Sequence, residues 1–170
     1  MKTREILRLA GAAAALGGAL RVAAAFIPSH PDSAQLELLY FVIDLSLLFG
    51  LIGIYAQECE RLGWIGLVGF VAAASGLASI VGPDSDVFGF NIYGAAVSVI
   101  GIGLAIMSVA MLWRGHFPPW IPALWIASLL AGLAPSFAPD ASQAAFQIAG
   151  ALFALGFLAA GVALFSRPGS

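Results

Sequence analysis

Apolar residues run along this chain in six long blocks, separated by short breaks that hold most of the polar and charged positions. The blocks cover about residues 6–27, 35–57, 62–81, 87–113, 118–134 and 142–165. A helix needs about 20 apolar residues, at 1.5 Å rise each, to cross the hydrocarbon core of a bilayer. Five of the blocks reach that length, and the fifth in order is the shortest. Strands do not fit, because a membrane strand takes about 9 to 11 residues and alternates polar with apolar positions. Pro118 and Pro119 suit the first turn of the fifth helix, where a missing N–H goes unpaired anyway, and Pro122 predicts a bend or a delayed start. The expected fold is all-α, a polytopic bundle of six transmembrane helices forming one transmembrane domain over residues 1–170.

Composition points the same way. The chain is 61% hydrophobic and 9% charged, whereas a soluble domain devotes about a quarter of its residues to charge. A formal charge of -2 argues against a nucleic-acid partner. The single cysteine, Cys59, excludes an intrachain disulfide. It sits in the acidic turn Glu58, Cys59, Glu60, Arg61, which reads first as a solvated turn and only second as a partner or cation site. Lys2, Arg4 and Arg8, an apolar run and Ala23-Ala24-Ala25 also describe a cleavable signal peptide. The repeat described below includes this segment, which favours an uncleaved helix.

Orientation follows from the basic residues. Lys2, Arg4, Arg8, Arg61, Arg114 and Arg167 fall on one side of a six-helix topology, and only Arg21 lies within a helix. By the positive-inside rule both termini face the cytoplasm, and an Ala- and Gly-rich composition fits a bacterial inner membrane. The loops with His30 and Asp32, with Asp84 and Asp86, and with Pro139 and Asp140 then face outward. Trp64, Trp113 and Trp120 mark the inner boundary, and Tyr40, Phe88, Phe90 and Tyr93 the outer one.

Each outward loop carries Pro-Asp, at Pro31-Asp32, Pro83-Asp84 and Pro139-Asp140, and arginines frame each loop at similar distances. From Arg8, Arg61 and Arg114 to the next of these prolines is 23, 22 and 25 residues, and from each proline to the following arginine is 30, 31 and 28. Gly50, Gly103 and Gly156 each lie 11 residues before such an arginine. Asp32, Asp84 and Asp140 read as helix caps, with Gln35 and Gln143 closing capping-box-like turns. The spacing predicts three parallel helical hairpins in a pseudo-threefold arrangement. Orientation and capping alone could also produce it without duplication.

Two ionisable residues break the repeat, both in the first hairpin. Arg21 stands where the other units have Ala74 and Ala127, and Asp44 where they have Ala96 and Leu152. Charges within a membrane are costly and face the bundle interior with a partner. Arg21 lies about 9 Å below Ile27 and Asp44 about 13 Å below Gln35, at 1.5 Å per residue, so a long Arg side chain can reach across. The expectation is an Arg21 to Asp44 pair. Its plain role is a structural staple; its sharper role is a ligand or proton-coupling site in an outward cavity with Tyr40 and Asn91. Tyr93, Gln143 and Gln147 could join Asn91 around a shallow vestibule, although such residues more often bond between helices or at headgroups. Ser75, Ser98, Ser108 and Ser128 are expected to bond carbonyls of their own helices. Gly63, Gly66 and Gly69, with Ala72 and Gly76, form small-residue strips for close helix contact.

No metal site is expected from one Cys and two separated histidines, His30 and His116. Neither a haem nor any other cofactor is expected, and no Gly-x-Ser-x-Gly, His-Glu-x-x-His or phosphate-loop motif is present. The run Gly50-Leu51-Ile52-Gly53-Ile54-Tyr55-Ala56-Gln57, with Leu62-Gly63-Trp64-Ile65-Gly66-Leu67-Val68-Gly69-Phe70, resembles a pattern of uncharacterised small bacterial multipass membrane proteins. That resemblance brings no activity or ligand residues. The leading expectation is a non-enzymatic structural or accessory protein that contacts membrane lipid and packs on other membrane subunits, or on its own copies, through small-residue faces. The alternative is a small carrier or channel using Arg21 and Asp44. An enzyme acting on lipid or quinone ranks third.

Overall fold

The computed structural model describes residues 3–26, 34–81, 92–137, 140 and 142–166. Among them the chain is all-α, with five helices: α1 (Thr3–Ala24), α2 (Ala34–Ile80), α3 (Ile92–Arg114), α4 (Trp120–Leu133) and α5 (Ser142–Ser166). A short 3-10 turn, Ala134–Ser136, extends α4. Four of these, α1, α2, α3 and α5, are long and apolar enough to cross a membrane, while Trp120–Ser136 is shorter.

The count is five because the expected second and third helices are one element of 47 residues. Drawn straight it would be about 70 Å long at 1.5 Å per residue, more than twice a hydrocarbon core. It is not straight. Tyr55 and Phe70 stack with ring centroids 4.2 Å apart, although fifteen residues of straight helix would separate them by about 22 Å. The chain therefore doubles back between them, and the one non-helical residue there is Gly63, at φ 58° and ψ -157°. Only glycine occupies that region readily. The expected turn at Glu58 to Arg61 is helical instead, since these residues need no special backbone angles and the reversal is made two residues later, at Gly63. Gly63→Ala is expected to destabilise the fold by about 1 to 3 kcal/mol, the strain of holding a Cβ at such angles. Thermal unfolding in mild detergent measures it.

Two limbs result, an N-limb (34–62) and a C-limb (64–80). Around the bundle α1 lies between the N-limb and α5, the C-limb packs on α3, α3 on α4, and α4 on α5, which closes a ring. Neighbours run antiparallel. Ala14 meets Gly50 and Ala10 meets Gly53 across α1 and the N-limb, and Gly69 and Gly76 meet the backbone of α3 at Gly103 and Ala96. Side chains that are fully buried include Trp125, Phe157, Leu47, Leu51, Leu104, Met107 and Ile121.

This packing redirects the small-residue strips. Gly66, Gly69, Ala73 and Gly76 are buried inside the bundle, whereas the surface carries large apolar groups such as Phe41, Leu45, Phe49 and Ile52. Small residues let helix backbones approach closely, and this chain uses them for its own closure. In α4 the proline reading is corrected in detail. Pro119 is the N-cap, so the helix starts at Trp120 rather than Pro118, the later start being one of the two outcomes expected of Pro122, which falls in the first turn where its missing N–H costs no hydrogen bond.

Arginine positions mark one end of the ring. Arg8 Nε donates to the Phe165 carbonyl at 3.5 Å, and Arg114 Nη1 lies 3.9 Å from where a Cβ on Gly63 would be. Arg8, Arg61 and Arg114 thus share the end at which α2 reverses.

Candidate functional site

Among the described residues two polar arrangements interrupt the apolar bundle. The first lies between α1 and the N-limb, where the register set by Ala14 on Gly50 and by Gly17 on Leu47 brings Arg21 level with the turn around Ile43. The guanidinium of Arg21 rests over the Tyr40 ring, 5.4 Å from its centroid. Its charge also acts on Asp44, one helical turn further along the N-limb. Among the described residues Arg21 and Asp44 make no contact ion pair. The expected pair is therefore a cation–π contact with Tyr40 plus a through-space interaction with Asp44. All three side chains are half-buried. A guanidinium and a carboxylate held near one another without closing on each other can meet a polar group with complementary charge.

The other residues expected at the outer end are not brought to this cluster. Asn91, Asp32 and Asp84 lie outside the described residues. Asp140 is exposed, two positions before α5 begins. Tyr93, Gln143 and Gln147 are exposed on α3 and α5. Ser98 bonds its own helix through Gly94 O at 3.0 Å, as expected. Ser128 does not, because its Oγ reaches across to Ala149 O on α5 at 2.8 Å and so ties two helices together.

The second arrangement was not expected from the sequence. Glu58 is 0% exposed, and its Oε2 accepts a hydrogen bond from the backbone N–H of His116 at 2.9 Å. The same oxygen lies 3.6 Å from His116 Nδ1, on a ring that is 46% exposed. Glu58 thus binds α2 to the turn between α3 and α4, at the arginine-bearing end. One signal could have revealed it. Ile43, Leu47, Leu51, Ile54, Glu58 and Leu62 are all buried, and they follow one another at the three- and four-residue steps of a single helix face. Reading Glu58 as part of a charged turn hid its place on that face.

Among the described residues the buried polar side-chain atoms without a hydrogen-bond partner are Trp125 Nε1 and Ser108 Oγ, so Ser108 does not bond its own helix as expected. The indole presses on α5, where a Cβ at Gly156 would come within 2.5 Å of Nε1, and Trp125 also packs on the Phe157 ring with centroids 5.2 Å apart. No group of three or more His, Cys, Asp or Glu side chains among the described residues could hold a metal ion. Cys59 is half-buried, and its Sγ donates to Ala56 O at 3.3 Å.

Compared with protein families, curated proteins and solved structures, the chain matches none.

Proposed function

We propose that this chain is a bacterial inner-membrane protein that crosses the bilayer six times with both ends cytoplasmic, the two limbs of α2 making two of the crossings. Its role on this reading is non-enzymatic: a structural or accessory subunit that packs on other membrane proteins. The supporting observation is the filled ring. Trp125, Phe157, Leu47, Leu51, Leu104, Met107 and Ile121 occupy its interior, while many large apolar side chains stand on its outside. The N-limb carries Leu38, Phe41, Val42, Leu45, Phe49 and Ile52 on one exposed face, and this face would contact lipid or a partner's helices. Purification from the native membrane in mild detergent, with mass spectrometry of the intact particle, tests the role. A stoichiometric protein partner supports it, and a particle made of this chain alone counts against it.

A second reading draws on a specific feature, the Arg21, Tyr40 and Asp44 cluster, whose two charges interact through space without closing into a contact ion pair among the described residues. A small carrier would use it to hold a polar solute. Asp44→Asn is then expected to abolish flux into liposomes, by at least tenfold, while the unfolding temperature in detergent stays near that of the parent chain. A staple gives the opposite result, with stability lost and no flux to lose.

Duplication of a hairpin unit remains part of the proposal. It is supported by Gly50, Gly103 and Gly156, which are all buried and each press on the preceding segment of their hairpin, at Ala14, Ala73 and Trp125.

A further inference from the structure

The arginines at the reversing end of the bundle are not equivalent. Arg8 is engaged twice, since its Nε donates to the Phe165 carbonyl at 3.5 Å and its guanidinium lies over the Phe165 ring at 5.5 Å. It closes the C-terminal end of α5, where carbonyls lack intrahelical donors. Arg61 and Arg114 are both exposed and form no ion pair among the described residues. Both belong to the corner where α2 reverses. Arg61 is two residues from Gly63, and among the described residues, apart from the chain beside Gly63 itself, the atom that comes near a Cβ placed on Gly63 is Nη1 of Arg114, at 3.9 Å. One guanidinium therefore lies beside the backbone of the reversal, and a second exposed arginine precedes that backbone by two residues.

Tryptophans flank this corner. Trp64 follows Gly63 and is 81% exposed, and Trp113 precedes Arg114 and is 72% exposed. Indole rings standing out from a helix end sit at the headgroup level of a bilayer. Two unpaired cations held there meet an anionic phosphodiester with a geometry that a guanidinium suits well, through parallel N–H donors to two oxygens. We propose that Arg61 and Arg114, framed by Trp64 and Trp113, form a binding site for one anionic phospholipid headgroup at the α2 reversal.

The occupant is a lipid rather than free phosphate because both tryptophans extend apolar surface beside the cations, where acyl chains would lie. The site is independent of the accessory and carrier readings, since it needs only that this end of the bundle meets a headgroup layer. It also differs from a general basic belt, because Arg8, at the same end, is excluded from it.

Native mass spectrometry of the full chain in detergent, titrated with phosphatidylglycerol or phosphatidylcholine, tests the site. The parent chain is expected to retain one phosphatidylglycerol at least tenfold more strongly than phosphatidylcholine, with retention falling as salt is raised. R61Q/R114Q is expected to lose that preference, R61K/R114K to keep part of it, and R8Q to keep all of it. Helical content and elution volume confirm that each variant is folded, and the lysine pair keeps the test valid if the glutamine pair is not. Equal retention of both lipids by the parent, an unchanged preference in the glutamine pair, or an equal loss in R8Q overturns the proposal. So does inorganic phosphate displacing the lipid at equal concentration.

Discussion

Glu58→Ala is expected to destabilise the bundle by about 3 kcal/mol, one of the two largest effects expected of a single substitution in this chain. Hydrogen bonds to a charged partner are worth about 1.5 to 3 kcal/mol, and a buried donor left without an acceptor costs about 1 to 3 more. The first term applies, because the His116 N–H bonds Oε2 at 2.9 Å and the carboxylate is fully enclosed; the second applies only in part, since the donor stands on an exposed residue. Glu58→Gln keeps an acceptor oxygen and nearly the same volume, so its loss should be clearly smaller. His116→Ala keeps the backbone donor and removes only a half-exposed ring, so it should also cost less than Glu58→Ala. Unfolding in mild detergent with increasing denaturing surfactant ranks the three. Equal losses for Glu58→Ala and Glu58→Gln would assign the stabilisation to the charge facing His116, and no loss in either would mean that Glu58 does not hold the α3–α4 turn.

Residue pattern alone made the all-α architecture legible, because apolar length measured against bilayer thickness is a strong constraint. Where the chain reverses was less legible. Glu58, Glu60 and Arg61 look like a loop by charge, yet Glu58 continues the buried row from Ile43 through Leu47, Leu51 and Ile54. A single glycine makes the reversal instead, and one Gly among twenty carries no mark of the φ it will adopt. Arg21 and Asp44 were brought near each other as the axial distances implied. Axial distance does not say where a guanidinium points, and it lies on Tyr40. For the small-residue strips, the pattern showed that helices would meet closely but not which helices. The C-limb met α3 of its own chain.

The hairpin repeat shows the same division. Gly50, Gly103 and Gly156 recur every 53 residues and are buried alike, but their contacts, Ala14, Ala73 and Trp125, fall 6, 12 and 11 residues after Arg8, Arg61 and Arg114. Relative to the first hairpin, the other two are slid by about one and a half turns at 3.6 residues per turn. Similar spacing in the sequence therefore coexists with unlike interfaces. A tryptophan at Trp125 needs a glycine opposite it for room, whereas the alanines at Ala14 and Ala73 need one because the backbones themselves are close.

That closeness carries the other large prediction. Gly103→Ala and Gly161→Ala are each expected to lose about 2 to 3 kcal/mol of stability, at the upper end of the usual cost of overpacking. A Cβ on Gly103 would come 2.8 Å from Gly69 O, and one on Gly161 would come 2.6 Å from Gly11 O. Real Cβ contacts are not that short, and the obstacle is backbone rather than a side chain that could swing aside. Each pair is mutual, since a Cβ on Gly69 would lie 2.7 Å from Gly103 O and one on Gly11 would lie 2.9 Å from Gly161 O. In a membrane the losses are not offset by hydrophobic gain, because lipid tails are as apolar as the side chains that would be displaced. Gly150→Ala is the control. Among the described residues outside its own stretch of helix nothing lies within 4 Å of its Cβ position, and alanine favours a helix over glycine by about 0.8 to 1 kcal/mol, so that variant should be neutral or more stable. Detergent unfolding of the three variants separates the cases: a harmless Gly103→Ala would place α3 further from the C-limb than the ring requires, and a harmless Gly161→Ala would do the same for α5 and α1, leaving the bundle open along that seam.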